Sequence, residues 1–106
     1  MSNMFEMDDS LVDQYLERLK SRVFKILPLI EEKNEGIYSY VDSLIFELYG
    51  LQYVVKGMPN SSNYITILST LESISDELIM KEKDFKFLRS EILRLVGIVN
   101  KLQKGE

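Results

Sequence analysis

Apolar residues recur at every third or fourth position through four stretches of this chain, with short polar stretches between them. That spacing is the repeat of an α-helix with one buried face, whereas a half-buried strand would alternate with a period of two. The first stripe is Val12, Leu16, Leu19, Val23, Ile26 and Ile30, and the second is Ile37, Val41, Leu44, Leu48, Leu51 and Val55. The third runs Tyr64, Ile67, Leu68, Leu71, Ile74, Ser75 and Leu78, and the fourth Phe85, Leu88, Ile92, Leu95, Val96, Val99 and Leu102. Helices of about 18–24 residues are roughly 27–36 Å long, and connections of a few residues force neighbours to run antiparallel. The expected fold is all-α: a single antiparallel up-down bundle of four helices over residues 1–106, with residues 1–9 as a flexible acidic N-terminus.

The residues between the stripes predict where the helices start and stop. Asp9-Ser10 is a capping signal for the first helix, and Asp13 adds negative charge near its positive end. Pro28 lies inside the first stripe, where it removes a backbone donor and crowds the preceding turn. The stripe continues in phase beyond it, so the first helix is expected to kink at Pro28. Gly36 suits a left-handed position after that helix. Gly50 lowers the helix propensity of the second segment and would permit a close helix crossing. Gly57 to Ser62 read as a loop, Asp84 as the cap of the last helix, and Lys101 and Lys104 as cations suited to its negative end.

The chain contains no His, Cys or Trp. Without His or Cys there is no Ser-His-Asp or Cys-His nucleophile, and no Glu-x-x-His pair of the di-iron bundles. The five glycines are isolated and form no phosphate loop. Asp42 and Glu47 fall on different faces, and Glu72 with Asp76 falls on a solvent face, so no carboxylate pair is built for acid/base work. The reading is a non-enzymatic protein with no cofactor and no metal. At 106 residues and 45% hydrophobic, the chain can bury a core unaided. Absence of Cys fits a reducing compartment, Met1 to Asp9 lack the basic and apolar regions of a secretory signal, and no apolar run is long enough to cross a bilayer. The expected location is the cytoplasm.

Charge is sorted along the chain. Glu6, Asp8, Asp9 and Asp13 account for the net −4, since 13 acids then remain against 13 bases. Arg18, Lys20, Arg22 and Lys25 have only Glu17 among them, the region 26–80 holds eight acids and two bases, and residues from Lys81 onward hold seven bases and four acids. Helices of opposite charge placed side by side favour one arrangement over others. A second reading makes Arg18, Arg22 and Lys25 on the first helix, with Lys83, Arg94 and Lys101 on the last, a basic face. An isoelectric point near 4.9, and the lack of aromatics interleaved with those bases, weigh against nucleic acid as the partner.

The second segment carries more apolar surface than one stripe needs. Tyr38, Phe46, Tyr49 and Tyr53 lie beside the main stripe, and Phe87 and Ile98 stand off the stripe of the last helix. Tyr and Phe are enriched at the centres of protein interfaces. These six residues therefore form the candidate interface, for a protein partner or for a homo-oligomer. Ile45-Phe46-Glu47-Leu48-Tyr49, followed by Tyr64 to Leu71, is also similar to helices of enterocin A-type bacteriocin immunity proteins. Those are small cytosolic bundles of Gram-positive bacteria, and the resemblance implies protection of a producer from its own peptide. In this chain the Glu-Leu-Tyr lies in the second helix rather than the first, and no site residue is carried over. The leading expectation is a helical-bundle protein acting through protein contact or self-association, with an immunity-type role and a nucleic-acid accessory role as alternatives.

Overall fold

A computed structural model describes residues 8–105, all of whose regular structure is helical. Five helices are present: α1 (Asp9–Phe24), α2 (Ile26–Glu31), α3 (Ile37–Val54), α4 (Ser62–Leu78) and α5 (Phe85–Gln103), with a single 3-10 turn at Met58–Asn60. Helices α1 and α2 are the two arms of the kinked first helix, so the architecture is the expected up-down bundle of four. Pro28 has no N–H to give to the Phe24 carbonyl, and the interruption accordingly falls one turn before it, at Lys25. Lys25 keeps right-handed helical angles (φ −64°, ψ −17°), and the Leu29 N–H reaches its carbonyl at 3.3 Å. The chain bends there without leaving helical conformation. The flexible segment expected at 1–9 lies outside the described residues up to Met7, while Asp8 and Asp9 belong to the start of α1.

Local chemistry sets the helix ends, with corrections to the sequence reading. The N-cap of α1 is Asp8 rather than Asp9 or Ser10, its carboxylate accepting from the Leu11 N–H at 2.9 Å. Ser61 caps α4 through Tyr64 N at 3.2 Å, and Asp84 caps α5 through Phe87 N at 3.0 Å. The left-handed residue after α2 is Lys33 (φ 55°), not Gly36. The N–H of Asn34 bonds the Leu29 carbonyl and that of Lys33 bonds the Ile30 carbonyl, both at 3.0 Å. This crossed pair satisfies the orphan carbonyls at the helix end. Gly36 instead precedes α3 at φ −84°, its N–H held by Asn34 Oδ1 at 2.8 Å.

The core is made by the four stripes. Leu16, Leu19, Val23 and Ile26 meet Val41, Leu44, Leu48, Ile67, Leu71, Ile74, Leu88, Ile92, Leu95 and Val99, all at 1% exposure or less. Phe85 departs from its stripe and is exposed, because the first residue of α5 lies at the rim. Around the bundle, α1 packs on α5, α5 on α4, and α4 on α3. Helices α1 and α3 close the ring differently. No pair of their Cα atoms comes within 8 Å, so long side chains must span the seam.

Candidate interaction surface

Four side chains fill the α1/α3 seam. The Arg22 guanidinium forms a two-pronged ion pair with Glu47, Nη1 to Oε1 and Nη2 to Oε2 at 2.8 Å each. The Tyr40 hydroxyl donates to the Arg22 carbonyl at 2.7 Å. The Tyr15 hydroxyl is buried next to Glu47 without reaching hydrogen-bonding geometry with any partner. Hydrogen bonding to Arg22 holds the Glu47 carboxyl below its usual range against the opposing effect of burial, with Arg18 adding to the pull. Burial, then the Glu47 charge, pushes the Tyr15 hydroxyl well above its ordinary value. These groups are structural: the ion pair locks α1 to α3.

That seam decides which way the rest of α3 faces. Glu47 turns toward α1, and Tyr49 on the opposite flank donates its hydroxyl to Glu72 of α4 at 2.7 Å. Between them, on the side opposite the core, Phe46 and Tyr53 are 81% and 77% exposed. Both stand clear of either neighbouring helix. At 100° per residue Ser39, Asp42, Ser43 and Gly50 share this outer face. Gly50 is not at an internal helix crossing, as a Cβ built on it would meet nothing within 4 Å.

The other candidate residues separate. Tyr38 is partly exposed at the start of α3, beside Phe85 in a groove of about 630 Å³ at the end of the bundle where the α2–α3 turn meets the α4–α5 loop. Leu29, Ile30, Ile37 and Leu78 floor that groove, and Lys33, Lys81 and Lys83 stand at its edge. Phe87 is partly exposed on α5. Ile98 is only 9% exposed and belongs to the core, because α5 packs on both α1 and α4, which widens its buried arc. It leaves the interface set. The exposed Ile65, Ile79 and Met80 were not singled out in the sequence. Ile79 and Met80 follow the last turn of α4, where helical periodicity carries no information about burial.

The basic face is partly consumed inside the bundle. Arg22 is bound to Glu47, Arg94 holds Glu91 at 3.1 Å and Thr70 Oγ1 at 3.2 Å, and Lys83 donates to the Met80 carbonyl at 3.4 Å. Arg18, Lys25 and Lys101 are exposed with no ion pair among the described residues. No helix among the described residues is long and apolar enough to cross a membrane. Compared with known proteins, the chain has no significant match to a family model, a curated protein or a solved structure.

Proposed function

We propose that this protein is a non-enzymatic helical-bundle module that acts by protein–protein contact through the outer face of α3. The observation that carries the reading is the exposure of Phe46 and Tyr53 on one face of a helix whose opposite face is fully buried. Neither ring is buried within one copy. An interface would remove them from water and use their rigid, low-entropy contact area. The sequence supports the non-enzymatic part, since it has no His or Cys to supply a base near neutral pH or a thiol nucleophile.

Site-specific photo-crosslinking in the cells that make the protein tests this reading. A benzophenone amino acid at Phe46 should give a discrete covalent adduct, and the same group at the exposed Ser90 of α5 should not. No adduct at Phe46, or equal labelling at both sites, would overturn it.

A further inference from the structure

We infer that the occupant of this face is a second copy of the same chain, docked with its α3 antiparallel to the first across a two-fold axis near Gly50. The inference rests on the interaction reading above and names its partner. A two-fold interface must be self-complementary, with position i meeting j and j meeting i. The outer face of α3 has this property. With the axis between Tyr49 and Gly50, Phe46 of each copy lies opposite Tyr53 of the other, and Tyr49 lies opposite Gly50.

The charges at the two ends agree with that direction. Asp42 lies one turn before Phe46, and Lys56 lies just beyond the end of α3. Both are exposed, and neither has an ion pair among the described residues. Antiparallel docking brings Asp42 of each copy to Lys56 of the other, twice. Parallel docking would set like charge against like.

Gly50 supplies the third observation. A glycine in mid-helix weakens the helix, and nothing within 4 Å of its missing Cβ explains it within one copy. At the axis it lets two backbones approach more closely than side chains otherwise allow. Two aromatics a side make a small apolar contact, and the dimer is a weak one that dissociates on dilution.

The absence of cysteine makes the test direct. In the full chain, Gly50→Cys should oxidise readily to a covalent dimer, while Ser39→Cys should not, because antiparallel pairing holds the two Ser39 positions about 30 Å apart at 1.5 Å per residue. Light scattering should show the wild-type mass falling from dimer to monomer on dilution. Phe46→Ser/Tyr53→Ser should stay monomeric at every concentration, with the melting temperature of dilute wild-type protein. Asp42→Lys should weaken the dimer, and adding Lys56→Asp should restore it. Equal cross-linking of Gly50→Cys and Ser39→Cys would overturn the antiparallel arrangement. A wild-type chain that stays monomeric at millimolar concentration would overturn the dimer. If the photo-crosslink at Phe46 then captures a different protein, the interaction reading stands without the dimer, and with no adduct both fall.

Discussion

Arg22 and Glu47 bind each other through both prongs of guanidinium and carboxylate, across a seam where no Cα atoms of α1 and α3 come within 8 Å. The pair joins the two helices at the rim of a core to which both contribute buried apolar side chains. Its side chains are 36% and 43% exposed, so solvent screens the attraction. Glu47→Gln should cost about 1 kcal/mol at neutral pH, near the upper end for a two-pronged surface pair. The carboxyl is held below its ordinary 4.5, so its contribution is present above that value and is lost as pH falls through the depressed one. Urea unfolding of wild type and variant should therefore differ at pH 7 and converge in acid, below the depressed value. A gap that persists in acid would show that the charge is not the source.

Two tyrosines should respond unequally to loss of their hydroxyls. Tyr64 donates to the Leu48 carbonyl, whereas the buried Tyr15 hydroxyl sits beside the Glu47 carboxylate without a well-aligned hydrogen bond. Tyr64→Phe should destabilise by about 1 kcal/mol, and Tyr15→Phe should cost less. Thermal unfolding of both variants checks the order.

Backbone conformation offers two stabilising changes. Lys33 occupies the left-handed region at φ 55°, and Lys33→Gly should raise stability by about 0.5–1 kcal/mol once the entropy of glycine is set against the relieved crowding. Gly97 lies within α5 with nothing within 4 Å of a Cβ, so Gly97→Ala should add about 0.5–1 kcal/mol. For a domain of this size each should raise the melting temperature by a few degrees, at roughly 4–8 °C per kcal/mol.

Neighbouring positions on α3 should separate core from surface. Leu48 is fully buried, and Leu48→Ala should cost about 2–5 kcal/mol. Phe46→Ala, measured on dilute protein, should stay within about 0.5 kcal/mol of wild type. A large loss at Phe46 would mean that the ring packs inside the monomer.

The sequence by itself determined the helices and their inward faces, because a 3.6-residue repeat of apolar side chains has one geometry that buries them together. Val41, Leu44, Leu48 and Leu51 could be assigned to the core by counting alone, and the excess of aromatics on the same helix could be counted too. The errors fell where that repeat gives no information. Lys33 took the left-handed turn expected of Gly36 because two carbonyls near the end of α2 needed donors at Lys33 and Asn34. Ile98 went inside because α5 packs against two helices, which widens its buried arc. Only the tertiary structure decided which surplus aromatics stay in water. Tyr49 is drawn to Glu72 on one flank of α3, and Arg22 holds Glu47 on the other. Phe46 and Tyr53 are left between them with no helix opposite, since residues this far apart in the chain are brought together only by the order in which the helices pack.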